Sequence, residues 1–339
     1  MSYRHQERKN IFSRIISGFS LQFVLAIFIV LLQVNSQGYG ETFSFAIVAD
    51  PHVYGNVTNR AKFQTAVDWI IDNKDSNDIE LVFVLGDIAW GGTRNSRNMA
   101  IAKAILDRLN DAGVLYVPVI GDNEIDTGCE KEFNDVFELQ YEYLSQRVLS
   151  WQKAAVPVGG MYLQNFSFNY KGCHFVCADF NPRKKDYEGG ELHDFPGGTW
   201  PWFKDTIAKC PKSKKENIVI MSHIGMFRTG VEKADQYLFP QEQMSKIKRF
   251  AYNYREYIDT NYVGHIHQNW QIIVWSGLFT PLYNVRVTDE TWYDTQWPES
   301  DDQELTVRLV QVNNNGPKII YNQHILNIDV IKIDSAEQK

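Results

Sequence analysis

"FAIVADPH", Phe45 to His52, sets five apolar residues in a row and then presents Asp50 and His52 two positions apart. A short run of this kind, bounded by proline and acid, reads as a buried β-strand. The arrangement recurs. "LVFVLGD" ends in Asp87, "LYVPVIGDNE" in Asp122, "NIVIMSH" in His223 and "NYVGHIH" in His265 and His267. Helix-like stretches lie between several of these runs, at Asn59 to Asp72, Asn95 to Asn110 and Glu130 to Leu149. Strands alternating with helices predict a largely parallel sheet. In such sheets ligands bind beyond the carboxyl ends of the strands. The sequence thus places seven metal-capable side chains along one edge.

The later strands have another character. "MYLQNFSFNY" alternates large apolar residues with Asn165, Ser167 and Asn169, and Lys171-Gly172 turns it back as "CHFVCADF". That is an antiparallel hairpin with one buried face. More strands are expected at Gln271 to Trp275, Leu282 to Val287, Leu305 to Asn313 and Lys318 to Gln323. The expected fold class is α/β, a two-sheet sandwich with flanking helices. It forms one domain over residues 41–326, with a C-terminal tail at 327–339.

Residues 1–36 stand apart. Arg4, Arg8, Lys9 and Arg14 against Glu7 give this stretch +3, and an apolar run follows from Phe23 to Leu32. Val34-Asn35-Ser36 then supplies short side chains. The pattern is that of a secretory signal peptide. The alternative is a retained N-terminal membrane anchor, since Ile15 to Val34 nearly spans a bilayer. The expected location is therefore secreted or lumenal, with membrane contact only if the segment is retained. Without these residues the net charge moves from −7 to −10, which argues against binding nucleic-acid backbones.

Four cysteines fit an oxidising compartment. On one strand, Cys173 and Cys177 would stand roughly 13 Å apart at about 3.3 Å per residue, too far to bond each other. Two pairings remain, each joining Cys129 and Cys210 separately to Cys173 and Cys177; free thiols are the alternative. Asn56 and Asn165 begin N-glycosylation sequons.

A lone His or Asp at a strand end is ordinarily a capping group. Here four of the eight histidines fall at such ends, in Asp-x-His or His-x-His spacing or after an apolar run. Imidazoles mixed with carboxylates suit iron, zinc or manganese better than calcium. On a strand, an i, i+2 spacing keeps both side chains on one face.

The series "DPH", "GD", "GDNE", "MSHIG" and "GHIH" resembles the calcineurin-like metallophosphoesterase family from Phe45 to His267. The third motif is similar to that of a secreted branch with Gly-Asp-Asn-Glu. The resemblance implies two divalent transition-metal ions. Asp50, His52 and His267 would hold the first, and His223, His265 and Asp122 the second, with Asp87 bridging. A slip of one position would make Asn123 the ligand in place of Asp122. It further implies hydrolysis of a phosphoester, monoester or diester, by a two-metal-activated hydroxide acting on a small phosphorylated substrate.

The chain departs from the family at Asn123, where a histidine is expected. Asn cannot protonate a leaving group, though its amide can donate to a phosphoryl oxygen. Glu124 would be its catalytic partner. The alternative function is a catalytically weakened, metal-stabilised binding protein of the same fold. His193, in the Gly-rich loop "GGELHDFPGG", is expected to be solvated, with a substitute acid as its other reading. Arg286 is a strand-face charge or a phosphate contact.

Overall fold

The computed structural model describes residues 41–328 apart from 54–56, 91–94, 127–128, 185–188, 216, 229–231, 268–273, 276–280 and 284–304. The N-terminal segment, Asn56 and Arg286 lie outside the described residues. Among the described residues no helix is long and apolar enough to cross a membrane.

Two five-stranded mixed sheets carry the fold. In the first, β1 (Thr42–Val48), β2 (Ile79–Leu85) and β3 (Leu115–Val119) run parallel, as expected. β11 (Leu305–Asn313) and β12 (Ile320–Ile328) add an antiparallel pair on the other side of β1, giving the order β12-β11-β1-β2-β3. β12 runs two residues beyond the expected domain end at 326.

The second sheet repeats this plan. Its order is β4 (Leu149–Lys153), β5 (Phe166–Tyr170), β6 (Cys173–Cys177), β7 (Ile218–Met221), β8 (Ile258–Tyr262). The first three are antiparallel neighbours, and β6, β7 and β8 are parallel. Lys171 and Gly172 make the β5–β6 turn with φ of 43° and 86°, the left-handed pair that a two-residue hairpin requires. A two-stranded ribbon, β9 (Val274–Trp275) and β10 (Pro281–Tyr283), is not hydrogen-bonded into either sheet, though β10 lies against β8.

Period-two alternation decides what lies between the sheets. On β6, Cys173, Phe175 and Cys177 join the core shared with the first sheet, whereas Val176 joins a second core beneath the helices. Phe45 of β1 is fully buried and meets Phe83, Phe175 and Tyr262 edge-on at 5.5, 5.6 and 5.7 Å. Since Phe175 and Tyr262 belong to the second sheet, this ring bridges the two sheets, together with the Phe43–Tyr170 and Phe83–Phe168 contacts.

Helices α1 (Val57–Asn77), α2 (Asn95–Asp111) and α4 (Glu130–Ser145) pack with the first sheet. α3 (Asn123–Asp126) is one short turn after β3, and α6 (Glu232–Asp235) is a second such turn. α5 (Thr199–Lys209) and α7 (Gln241–Tyr254) bury Trp200, Phe203, Ile207, Met244 and Ile247 against the second. The sequence predicts a helix running on to Leu149. α4 stops at Ser145 because Leu149 opens β4, opposite Asn169. Met161 to Asn165 is expected to extend β5, but the ladder begins at Phe166; the Gln164 N–H is taken by Asp179 Oδ2 at 3.0 Å.

The expected disulfides are absent: Cys129, Cys173, Cys177 and Cys210 are all buried thiols. Cys173 and Cys177 face the core between the sheets and Cys210 lies in the core under α5 and α7, so a bridge between them would have to cross a sheet. Asn165, which begins the second sequon, does not face solvent. It is fully buried, donating to Thr199 Oγ1 at 3.0 Å and accepting from the Asp179 N–H at 2.9 Å.

Phe45→Ala should destabilise the fold by about 3–5 kcal/mol, the range for deleting a buried aromatic ring. A lower urea midpoint with unchanged slope would establish this.

Candidate metal centre

The parallel strands of both sheets end on the same side of the molecule, and the seven expected ligands meet there in two groups. Asp50, His52, Asp87 and His267 form one; Asp122, His223 and His265 form the other. Within each group, ligand-capable atoms lie within 4.8 Å of one another. Asp87 touches both groups, with Oδ2 3.8 Å from His52 Nε2 and Oδ1 3.4 Å from His223 Nε2. Asp122 Oδ1 lies 2.6 Å from His223 Nε2 and 3.1 Å from His265 Nδ1. The side chain of Asn123 turns instead to Asp87. Asp122 thus faces the two histidines, and Asn123 faces Asp87.

The convergence does not arise from strand pleating, as the i, i+2 argument supposed. β1 ends at Val48, and β8 at Tyr262. Past those ends, Asp50, His52, Asp87, His265 and His267 all adopt positive φ, between 42° and 81°. Left-handed backbone at non-glycine residues costs about 1–3 kcal/mol each and persists only where surroundings impose it. Here the impositions are visible. The His265 N–H donates to both oxygens of Asp50, at 3.0 and 3.1 Å. His52 N–H donates to the Asp87 carbonyl at 2.9 Å. Two glycines allow the approach. A Cβ on Gly121 would lie 2.1 Å from the Asp87 nitrogen, and one on Gly86, itself at φ +82°, 2.4 Å from His223 Nδ1.

Glu124 has no solvent exposure, and both its oxygens accept backbone N–H groups: Gly121 at 2.7 Å and Asp87 at 3.1 Å on one, Ala89 at 3.0 Å on the other. It clamps the loop after β3 to the loop after β2. Asn123 strengthens the same junction, its backbone N–H meeting Asp87 Oδ1 at 2.9 Å and its amide meeting Oδ2.

Further out lies a polar network that the sequence did not announce. Asn181 Nδ2 donates to the carbonyl of Ile120, just before Gly121, at 2.9 Å and to Asp179 Oδ1 at 3.1 Å. Arg183 grips Asp179 through Nη2 at 2.6 Å and Glu130 through Nε at 2.6 Å. His193 belongs to this network, not to solvent. It is 2% exposed, and its Nε2 donates to the Asn181 carbonyl at 2.9 Å. At the mouth stands Trp90, 44% exposed, its ring 4.8 Å from that of His52.

The charges and tautomers of the site can be read from its hydrogen bonds. His223 Nδ1–H donates to the Leu85 carbonyl at 2.9 Å, leaving Nε2 to point its lone pair at Asp122 and Asp87. His52 Nε2 and His267 Nε2 face each other at 3.2 Å. Acceptors this close need a proton or a cation between them. Burial lowers His223, but Asp87, Asp122 and Asp50 more than offset it and hold the imidazole well above its usual value. Burial and the neighbouring His267 push His52 down to about 3. Burial, reinforced by Asp122, lifts Asp87 to about 7. Burial and Asp87 lift Glu124 to about 8. Burial would raise Asp50 and Asp122 as well, yet the histidines around them leave both lowered. Four imidazoles and three carboxylates form a donor set that fits divalent transition metals, with backbone carbonyls and N–H groups fixing the ligands from behind.

The sequence pattern of the calcineurin-like phosphoesterase family matches residues 43–269. The chain belongs to that family. Among solved structures, its fold is similar to purple acid phosphatase PPD1 from yellow lupin (Lupinus luteus) seeds. The TM-score is 0.51 at 13% identity, over 86% of this chain and 54% of that one. A dimetal phosphatase from Danio rerio gives a TM-score of 0.47 at 12% identity, over 85% of this chain and 99% of that one. This family member therefore spans about half the length of the lupin chain. No curated protein matches it in sequence.

The purified protein should take up about two equivalents of divalent transition metal, read by elemental analysis. Asp87→Asn should weaken both equivalents, because Asp87 touches both groups, whereas His267→Ala should weaken one. A folded, metal-replete protein holding none would remove the assignment.

Proposed function

We propose that this chain is a metal-dependent phosphoester hydrolase of the calcineurin-like family. The observation that carries the reading is the pair of ligand groups joined by Asp87. Asp50, His52 and His267 would hold one ion and Asp122, His223 and His265 the other, with Asp87 shared. Two divalent ions so held would supply Lewis-acid charge for the phosphoryl oxygens and lower the pKa of a bound water.

The remaining work falls to the chain. Asp50 is pinned by the His265 N–H, and His223 is kept in one tautomer by the Leu85 carbonyl. Glu124 is a positioning residue rather than an acid, because its oxygens are committed to backbone N–H groups. Asn123, half-buried beside Asp87, is the amide that would meet a phosphoryl oxygen. It offers no proton to the departing alkoxide, and His193 is enclosed in the network around Asn181. The substrate class is then a small phosphorylated molecule whose leaving group departs without protonation. The absence of an acid at position 123 also favours a second reading, a binding protein that retains the metals with little turnover. Turnover of phosphomonoesters and diesters with defined metals separates the two.

We further propose that residues 1–36 direct export, on the strength of the +3 start and the apolar run Phe23 to Leu32, and that the protein works in a secreted or lumenal compartment. A full-length chain in soluble cytoplasm with an intact N-terminus would overturn this.

With Asn123 at the acid position, nitrophenyl phosphates should be hydrolysed far faster than alkyl phosphates. Asn123→His should raise alkyl-ester turnover selectively, by ~10-fold or more, since a general acid contributes about 10²–10⁴. Asn123→Ala should slow both ester classes alike. Equal wild-type rates on aryl and alkyl esters, with chemistry rate-limiting, would refute the role assigned to Asn123.

A further inference from the structure

A groove of about 540 Å³ lies between α4 and the edge strand β4, and it shares no residue with the metal centre. Its volume falls in the range of small-molecule sites. Trp151 and Tyr141 form one wall, with ring centroids 6.1 Å apart. The Tyr141 hydroxyl is occupied by the Pro118 carbonyl at 3.0 Å, so the ring and not the phenol meets the groove. Lys153 extends along this wall, its ammonium 5.1 Å from the centroid of the Tyr141 ring.

Lys153 is half-buried, and its partners are uncharged: the Tyr141 ring and the Gln164 side-chain oxygen at 2.9 Å. Gln164 is built to hold it. That residue is 1% exposed. Its Nε2 donates to Asn134 Oδ1 at 3.3 Å and to the Tyr162 carbonyl at 3.2 Å, which fixes Oε1 toward the ammonium. Burial lowers Lys153 to about 8, with Glu138 and Asp179 acting in opposition. An ammonium carries three donors, and taking one out of water without a counter-ion is costly. An anion arriving in the groove would relieve that cost.

The outer wall sets the charge limit. Glu138 and Glu142, one helical turn apart on α4, line the same groove beside the Lys131–Asp135 ion pair and would repel a second negative charge. The aromatic wall suits an apolar body. We propose that the α4–β4 groove is a second ligand site, for a small organic monoanion with an aromatic or apolar body whose anionic group sits on Lys153.

Isothermal titration with 3-phenylpropionate, 3-phenylpropanol and 3-phenylpropylamine tests this, because the three differ in charge at nearly constant shape. A hydrogen bond to a charged group contributes about 1.5–3 kcal/mol, so the carboxylate should bind at least about tenfold more tightly than the alcohol. Lys153→Met should abolish that preference with no change in metal content, and Lys209→Met, at an exposed lysine paired with Asp205 on α5 and outside the groove, should leave it intact. Glu138→Gln, an exposed substitution, should tighten carboxylate binding a few-fold and serves if Lys153→Met does not fold. Wild-type protein that binds the alcohol as well as the carboxylate, a preference that survives Lys153→Met, or no tightening in Glu138→Gln would each overturn the proposal.

Discussion

Lone pairs of imidazole and carboxylate, pressed together at 2.6 to 3.8 Å in a buried volume, repel unless positive charge stands between them. That repulsion is the constraint around which the molecule is arranged. Five loops bring ligands to one point, and three of them do so with left-handed backbone, for five of the seven residues sit at positive φ. The sheets, the aromatic contact at Phe45, the Glu124 clamp and the Asn181 network all serve to hold acceptors where they would not otherwise stay. Cations complete the balance, which is why ligand identity and fold are inseparable here.

Much of this was legible in the sequence because the ligands follow strands. A buried strand announces itself by its apolar run, and the residue just beyond it is fixed to within a position or two. Asp87 and His223 were therefore easy to place at the sheet edge. The i, i+2 argument for Asp50 with His52 reached the right neighbours for the wrong reason, since pleating stops before them. Nothing local marks a left-handed Asp or His; that conformation is imposed by partners distant in the chain. The contacts of Glu124 were hidden for a similar cause. Its neighbours are backbone N–H groups, which have no sequence signature. Asn165 matched a sequon but lies inside, because its amide completes the hydrogen bonds at the end of β6. The cysteines showed the limit of spacing arguments, which place residues on a strand but not on opposite sides of a sheet.

Family membership and activity are different claims. The family supplies the paired ligand groups and the two-sheet frame. The proposal for what the chain does with them rests on position 123, where the family resemblance leads one to expect a histidine and the sequence has asparagine. The structure gives Asn123 a supporting part, bonding the shared carboxylate from two directions. Function follows from such local chemistry and not from the fold that presents it.

The contact between the His265 N–H and Asp50 joins residues 215 positions apart. In kinetic terms this is a contact of very high order, whose loop-closure entropy must be met before any reward arrives. Neither ligand group is complete until both sheets have formed and docked. Metal capture at full affinity is therefore a late event on the folding path, and a mark that a given molecule has reached its native topology.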